Sequence, residues 1–325
     1  MYRFSIHSNE AGQRFDKYLH KLLPGATSSF LYKMLRKKNI VLNGKRSEGK
    51  EKLKEGDEVK LFFSEETFLS FSGKKDDVDV YLTAYARLKG IKIIYENENI
   101  LLLNKPRGVL TQKAMESDIS INEWMIGYLL TKGKITKESL ATFHPSVCNR
   151  LDRNTSGLVI CGRTLAGSQE LNHLIKERIV RKFYRLFVKG RLEREETMEG
   201  YLKKESSGNQ VTISLTASEG AAYIRTRYYP IKILSDMTYL EVELMTGKPH
   251  QIRAHMASIG YPILGDAKYG DNGFNHKYRE KYGITGQMLH AYRLEFPAND
   301  LLFEGKAVSF TAKEPEVFDR ILGRD

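Results

Sequence analysis

The stretch Asn149-Arg150-Leu151-Asp152-Arg153-Asn154-Thr155-Ser156-Gly157 places one carboxylate, that of Asp152, between two arginines in a segment suited to a tight turn. Apolar residues flank it, with Val147 before it and Leu158-Val159-Ile160 after it. We therefore predict that it connects two short strands. Two cations within about 4–6 Å keep an acid ionised and hence available as a nucleophile or base. The alternative is a loop aspartate that merely pairs with a neighbouring arginine.

The size and composition predict a soluble protein with one large domain and a smaller one. The chain has 325 residues, which is long for one compact core, so we expect one domain of roughly 200–250 residues with a smaller appendage. No stretch approaches the roughly 20 consecutive apolar residues of a membrane span, and the N-terminus lacks the apolar core of a signal peptide. We therefore expect a cytoplasmic protein that does not bind membranes.

The two cysteines, Cys148 and Cys161, lie in apolar contexts on either side of the Asp152 loop. Such cysteines are typical of reduced core residues, and a disulfide framework is not expected. His144 and Cys148 could be two metal ligands, but no further pair at zinc spacing lies nearby. We therefore expect no metal site.

The formal net charge of +12 favours a polyanionic partner, which means nucleic acid or an anionic membrane face. The charge is concentrated near the N-terminus, because residues 1–64 contain fourteen Lys and Arg against seven Asp and Glu. We interpret this segment as an electrostatic contact surface.

Within residues 1–64 the sequence predicts two helices followed by a hairpin. The first helix covers residues 15–23, and the second follows Thr27 or Ser28, either of which can cap it. The dipeptide Asn43-Gly44 is the strongest short hairpin signal. Five cations lie on the polar face of the second helix or in the hairpin: Lys33, Arg36, Lys37, Lys45 and Arg46. Such a surface suits structured RNA, although a solvated helix face is an equal alternative for the helix cations.

This segment resembles the small RNA-binding domain of the ribosomal protein S-four type. The resemblance rests on Arg14-Phe15-Asp16, the basic helix, Val41-Leu42-Asn43-Gly44-Lys45 and Gly56-Asp57. It implies RNA contacts at the second helix and the hairpin, and therefore at the five cations named above.

The remainder of the chain predicts a linker at residues 65–90 and a second domain at residues 91–325. Short alternating strands dominate that domain, and the best helix candidates are residues 121–130, 166–176 and 251–258. This pattern is typical of an α+β fold with a large mixed, mainly antiparallel sheet.

Five motifs of the second domain together resemble the RluA-type pseudouridine synthases, and most of all their RluC branch. The motifs are Asn-Lys-Pro-x-Gly (104–108), Arg-Leu-Asp-x-x-Thr-Ser-Gly-Leu (150–158), Lys-x-Tyr (182–184), Thr-Gly-Lys-x-His-Gln-Ile-Arg-x-His (246–255) and Leu-His-Ala (289–291). With the N-terminal segment, the resemblance covers nearly the whole chain. It implies isomerisation of uridine to pseudouridine inside RNA, in the large-subunit ribosomal RNA if the RluC likeness holds, without a cofactor. No protein partner is implied, and a monomer is expected.

The resemblance also implies roles for particular residues. Asp152 would be the catalytic carboxylate, attacking the anomeric carbon, attacking the base, or deprotonating the ribose; the sequence leaves all three routes open. Arg253 would pair with Asp152 and keep it charged. Tyr184 would stack on the uracil and help remove the proton on its carbon five, unless it is simply a core aromatic residue. Arg150 would fill the space left by the flipped uridine, unless it is a surface cation bound to phosphate.

Two departures from the family pattern stand next to these motifs. This chain has Asn149 where many members have His, and Pro249 where many have Thr. Neither position is an essential acid, base or nucleophile in the family, so we expect activity to survive. Pro249 removes a backbone donor, which changes the shape of that turn.

Two other functions compete with this interpretation. One is a catalytically silent RNA-binding or ribosome-assembly factor on the same scaffold. The other is a carboxylate glycosidase, which would require a second acid near Asp152 to protonate the leaving group. Among the matching motifs and the residues after them, the candidate is Asp266, which resembles a structural turn residue.

Overall fold

The computed structural model describes residues 1–7, 10–72, 78–205 and 210–324. The strands within these ranges are β1 (Tyr2–Ser5), β2 (Ile40–Leu42), β3 (Glu58–Leu61), β4 (Lys92–Glu96), β5 (Ile100–Lys105), β6 (Ser146–Val147), β7 (Ser156–Gly162), β8 (Arg181–Lys189), β9 (Glu196–Lys204), β10 (Val211–Ser214), β11 (Ala222–Ile233), β12 (Met237–Leu244), β13 (Leu289–Asn299) and β14 (Lys306–Thr311). The helices are α1 (Phe15–Leu22), α2 (Ser28–Arg36), α3 (Glu65–Phe71), α4 (Val78–Arg87), α5 (Ile121–Thr131), α6 (Lys137–Leu140), α7 (Leu165–Lys176), α8 (Gln251–Ser258), α9 (Asn272–Tyr282), α10 (Asp300–Phe303) and α11 (Glu316–Leu322).

A small antiparallel sheet in the order β1-β3-β2 forms the N-terminal part of the fold. The two predicted helices are present as α1 and α2, and their apolar faces pack into one core with the sheet. Thr27 caps α2 as predicted, because its hydroxyl accepts a hydrogen bond from the Phe30 N–H at 3.3 Å.

The predicted turn at Asn43-Gly44 is present, and both residues have a positive φ, 51° and 72°. The strand expected after it does not form, since Lys45 makes a single bridge to Leu42 and β2 pairs with β3 instead. The side chain of Asn43 explains this pairing. It accepts the Glu58 N–H at the start of β3, at 2.8 Å.

The segment expected to be a linker contains two helices, α3 and α4. On α3, the ring of Phe68 stacks on Tyr2 of the small sheet at 3.9 Å between centroids. On α4, Tyr85 contacts Trp124 of α5 at 5.5 Å. The two helices were not predicted because their hydrophobic periodicity is weak. Packing against the small sheet and α5 stabilises them instead. The domain boundaries at residues 64 and 91 stay a prediction.

A large sheet carries the rest of the chain, in the order β10-β9-β11-β12-β8-β13-β7-β5-β4, with β14 beside β13 and β6 beside β7. Its pairs are antiparallel except β13 with β7. The predicted α+β class with a mainly antiparallel sheet is confirmed. Helices α5, α7 and α8 are those predicted, whereas α9 and α11 were not predicted.

The parallel pair is where the chain after Asp152 enters the sheet. Gly157 has a φ of 112°, and a Cβ there would lie 2.2 Å from the Ala291 carbonyl oxygen of β13. Any side chain at this position would separate the two strands, so a glycine is required. The adjacent Ser156 hydroxyl lies 2.8 Å from Nδ1 of buried His290. The end of the Asp152 loop is thereby anchored on β13.

The described ranges show the state of the cysteines and were searched for metal-binding groups and membrane-spanning helices. Both Cys148 and Cys161 are free, as predicted, and Cys161 is buried. Among the described residues, no group of three or more His, Cys, Asp or Glu could hold a metal ion. No helix in those ranges is both long and apolar enough to span a membrane.

Candidate active site

Asp152 lies at the wall of a cavity of about 920 Å³ between the loop after β6 and the start of α8. Hydrogen bonds fix the backbone of its loop. The Thr111 hydroxyl donates to the Leu151 carbonyl at 2.8 Å, and the Thr155 N–H donates to the Asp152 carbonyl at 3.0 Å. The Gln287 amide then holds the Thr155 hydroxyl at 2.9 Å. The loop is therefore set before any substrate arrives.

The two oxygens of the Asp152 carboxylate have different environments. Oδ2 accepts a hydrogen bond from Arg253 Nη1 at 2.9 Å. Oδ1 makes no hydrogen bond to any residue that the structure describes. The predicted pairing of Asp152 with Arg253 is therefore present in the geometry, and it occupies only one of the two carboxylate oxygens.

A second carboxylate, that of Asp266, fixes the guanidinium of Arg253. Asp266 is fully buried and accepts from Arg253 Nε at 2.7 Å and Nη2 at 2.9 Å. Burial alone would lower the pKa of Arg253, but the hydrogen bonds and charge of Asp266 outweigh it and raise that pKa. The guanidinium thus stays charged, with Nη1 held toward Asp152.

Tyr184 lies on β8 and lines the same cavity, with little of its side chain exposed. Its phenol makes no hydrogen bond to another described residue. Burial raises the pKa of Tyr184, and the charge of Asp152 raises it further. The phenol is therefore neutral near pH 7 and offers the cavity a flat apolar ring with one polar end.

His250 and Tyr269 complete the surroundings of Asp152. His250 Nε2 lies 4.0 Å from Asp152 Oδ2, and its Nδ1 lies 3.0 Å from the Tyr269 hydroxyl. The guanidinium carbon of Arg253 lies 5.2 Å from the centroid of the Tyr269 ring. The sequence did not predict these contacts.

The sequence predicted Asp266 as a turn residue but did not predict its contact with Arg253. Asp266 does accept the backbone N–H groups of Lys268 and Tyr269, as a turn residue would. Its second role, holding Arg253, joins residues 13 positions apart, which no local pattern indicates.

Lys105, in the motif at residues 104–108, binds backbone carbonyl groups. Its Nζ donates to the carbonyls of Pro106, Val109 and Arg153 at 3.1, 2.8 and 3.1 Å. Burial lowers the pKa of Lys105 to about 7. Because Lys105 joins the turn after β5 to the Asp152 loop, it holds two walls of the site together.

The residues expected to contact RNA fall into two places. Arg150 is exposed and lines the cavity at its rim, within reach of a substrate next to Asp152. The other five are exposed on α2 and around the turn after β2, and they do not line the cavity: Lys33, Arg36, Lys37, Lys45 and Arg46.

The acid required for a glycosidase is missing from the described cavity wall. Asp152 is the one Asp or Glu among the lining residues. Asp266 is held by Arg253 through both oxygens and is fully buried. It therefore cannot protonate a leaving group in the cavity, and the geometry does not favour glycoside hydrolysis.

Comparisons with known proteins agree with this geometry. A family model described as RNA pseudouridylate synthase matches residues 99–258. The chain is 30% identical over 299 residues to the ribosomal large subunit pseudouridine synthase C of Salmonella typhi, covering 90% of this chain and 87% of that protein. It is 29% identical over 309 residues to the protein of the same name from Rickettsia bellii, covering 95% and 96%.

Solved structures show the same fold. Human RNA Pseudouridylate Synthase Domain Containing 4 aligns with a TM-score of 0.59 at 21% identity, covering 76% of this chain and 96% of that one. Human RNA Pseudouridylate Synthase Domain Containing 1 aligns with a TM-score of 0.54 at 20% identity, covering 70% and 84%. Because the chain is 30% identical to the Salmonella typhi synthase along 90% of its length, we conclude that it belongs to the RNA pseudouridylate synthase family.

Proposed function

We propose that this protein converts specific uridines of large-subunit ribosomal RNA into pseudouridine, with Asp152 as the reacting carboxylate and no cofactor. The observation that carries the proposal is the pairing of Asp152 Oδ2 with Arg253 at 2.9 Å beside a cavity, which leaves Oδ1 free. Relatives named as large-subunit synthases support the choice of RNA. We further propose that the protein acts as a monomer.

The chemistry requires the glycosidic bond between C1′ and N1 to break, the uracil to rotate, and a bond between C1′ and C5 to form. Asp152 Oδ1 can begin this sequence as a nucleophile or as a base on the ribose. Arg253 keeps the carboxylate oriented throughout, since Asp266 holds the guanidinium from behind. The cavity retains the freed uracil so that it can rejoin the same sugar.

The last step transfers the proton from C5 of the attached uracil. Tyr184 lines the cavity near Asp152 and offers a ring on which the uracil can stack. Because the raised pKa keeps the phenol protonated, Tyr184 can accept the C5 proton only if its own proton passes at the same time to N1 of the uracil, the ring nitrogen that gains a hydrogen in the product. We therefore assign Tyr184 to stacking and to a coupled proton transfer.

The target uridine must leave the RNA stack to reach Asp152, at a cost of a few kcal/mol. Arg150 is exposed at the cavity rim, where its planar guanidinium can stack on the exposed neighbouring bases. The cations of α2 and of the turn after β2 would bind RNA phosphates farther from the chemistry. This arrangement separates substrate affinity from the reacting carboxylate.

The decisive experiment compares Asp152→Asn with the wild-type protein on large-subunit ribosomal RNA. Pseudouridine is measured by mass spectrometry after carbodiimide labelling, and RNA binding is measured in parallel. We expect Asp152→Asn to reduce the single-turnover rate by at least about 100-fold, with binding retained. Asp300→Asn makes the same chemical change at an exposed position of α10 and should leave the rate unchanged.

A catalytically silent RNA-binding factor predicts a different result. Such a protein would bind the RNA but form no pseudouridine, so Asp152→Asn would have no activity to remove. Wild-type protein that binds large-subunit RNA and leaves every uridine unmodified would refute the proposed reaction.

A further inference from the structure

Two hydrogen bonds and one longer contact form a short relay from the strand β10 to Asp152. The Val211 N–H donates to the Tyr269 hydroxyl oxygen at 3.0 Å. The same hydroxyl lies 3.0 Å from His250 Nδ1. On the other side of the imidazole ring, Nε2 lies 4.0 Å from Asp152 Oδ2. Val211 and Tyr269 therefore act on Asp152 only through the imidazole of His250.

This arrangement favours the His250 tautomer that carries its proton at Nε2. Since Val211 supplies a donor to the Tyr269 oxygen, the tyrosine still has its own hydroxyl hydrogen to donate. His250 Nδ1 is the acceptor within reach among the described residues. A neutral imidazole that accepts at Nδ1 must carry its hydrogen at Nε2. That N–H faces the carboxylate of Asp152.

The backbone of His250 is also unusual. It occupies the left-handed region, with φ 56° and ψ 11°, at the residue before α8. A non-glycine residue seldom adopts this conformation unless its surroundings impose it, and such residues concentrate at functional sites. The following residue holds the turn, because the Gln251 side chain accepts from the Lys248 N–H at 3.1 Å and the Thr246 hydroxyl at 2.9 Å. The imidazole is thus directed toward Asp152 by the turn itself.

We propose that His250 is a positioning residue, whose Nε2–H, fixed by Tyr269, closes on Asp152 Oδ2 when RNA fills the cavity and so reserves Oδ1 for the reaction. The inference rests on the function proposed above. At 4.0 Å the contact is too long for a hydrogen bond in the free protein. Contacts of this kind commonly shorten when a substrate excludes water.

The electrostatic surroundings agree with a neutral His250. Burial lowers the pKa of His250, and the charges of Arg253 and Lys268 lower it further, whereas Asp152 and Asp266 raise it. Protonation in acid would place hydrogens on both nitrogens. The hydrogen bond from Tyr269 would then be lost, and a second full charge would face Asp152. We therefore expect activity to fall at low pH as His250 becomes protonated.

The relay can be examined without measuring activity. Protein labelled with nitrogen-15 in histidine should show His250 as the Nε2–H tautomer at pH 7.5 by NMR. Tyr269→Phe keeps the ring against Arg253 but removes the hydroxyl, so it should yield a mixture of tautomers. Tyr282→Phe on α9 is the control, since Tyr282 does not line the cavity. Finding the Nδ1–H tautomer in the wild type would overturn the proposal, whether or not the protein is active.

Single-turnover kinetics test the role of His250 in the reaction. His250→Gln keeps an N–H near the Nε2 position and should retain most activity at pH 8, but the decline in acid due to His250 should disappear. His250→Phe should lower the rate about 10–100-fold, as expected for the loss of a hydrogen bond to a charged group.

Tyr269→Phe should shift the acid decline rather than remove it. The lost hydrogen bond favours neutral His250, so its removal should raise the pKa of His250 and move the acid decline to higher pH. In the His250→Gln background the same change should not move the decline. An active wild type whose acid decline is identical in all these variants would refute the relay while leaving the proposed reaction intact.

Discussion

Asp266 is the residue that orients Arg253 and, through it, the carboxylate of Asp152. It never touches the cavity, yet its two oxygens hold Arg253 Nε and Nη2 and so direct Nη1 at Asp152. A buried guanidinium between two carboxylates is stable only while its partners remain, because an uncompensated buried charge is costly. The site is therefore one unit of Asp152, Arg253 and Asp266.

We therefore predict that Asp266→Asn lowers both the stability of the protein and the rate of uridine modification. Removal of one partner of a buried ion pair costs about 3–5 kcal/mol, so the free energy of unfolding in urea should fall by an amount of that order. The modification rate should fall as well, since Arg253 would no longer be held from behind. The control is Glu195→Gln, which breaks the exposed pair with Arg227 and should change little. Equal stability of the two variants would contradict this account.

At the scale of elements, one face of helix α2 packs into the N-terminal core while another presents cations to solvent. Its buried residues, Leu31 and Leu35, pack into the N-terminal core, while three cations remain exposed on the same helix or just after it. Those cations, Lys33, Arg36 and Lys37, form no ion pair with a described residue. Exposed cations without partners are available for phosphate.

We therefore predict that the triple variant Lys33→Gln, Arg36→Gln, Lys37→Gln binds RNA more weakly and with less salt dependence. The slope of log affinity against log salt should become shallower by up to about 2–3, because three counterion-releasing contacts are lost. The control triple Lys132→Gln, Lys134→Gln, Lys137→Gln removes equal charge at exposed positions around the end of α5. If both triples change the slope equally, α2 has no special role. The single-turnover rate at saturating protein should be unchanged in both.

At the scale of the whole molecule, two buried histidines make the stability depend on pH. His255 Nδ1 lies 3.0 Å from the Thr226 hydroxyl, and His290 lies between the Ser156 hydroxyl and the Ala312 carbonyl. Burial lowers the pKa of each to about 4. Both therefore fold in the neutral form.

The sign of the effect follows from proton binding. Between pH 6.5 and 4 the unfolded chain binds protons at these histidines and the folded chain does not, so the free energy of unfolding falls as pH falls. The loss should reach up to about 3 kcal/mol for each histidine. Urea denaturation from pH 7 to 4.5 measures it. His255→Gln or His290→Gln should flatten the dependence, whereas His276→Gln, at an exposed position, should not.

Local features of the protein were predictable because their causes are local. The cap at Thr27, the turn at Asn43-Gly44 and the helices α5, α7 and α8 each follow from neighbours within a few residues. The motif order, together with Asp152 and its pairing with Arg253, was likewise accessible through the family resemblance. By contrast, α9 and α11 were not predicted, since their stability comes from burying a few apolar side chains against distant strands.

The sequence by itself determined the class of the fold and the family, and it singled out Asp152. Tertiary structure alone decided that Arg253, 101 residues from Asp152, reaches only Oδ2 and that Asp266 holds the other side of its guanidinium. It also decided that His250, in contact with the Tyr269 hydroxyl, faces the same oxygen of Asp152. The physical reason is that these contacts join separate segments. They form where the sheet and α8 bury one another, and the free energy of that burial depends on the whole chain rather than on any local pattern.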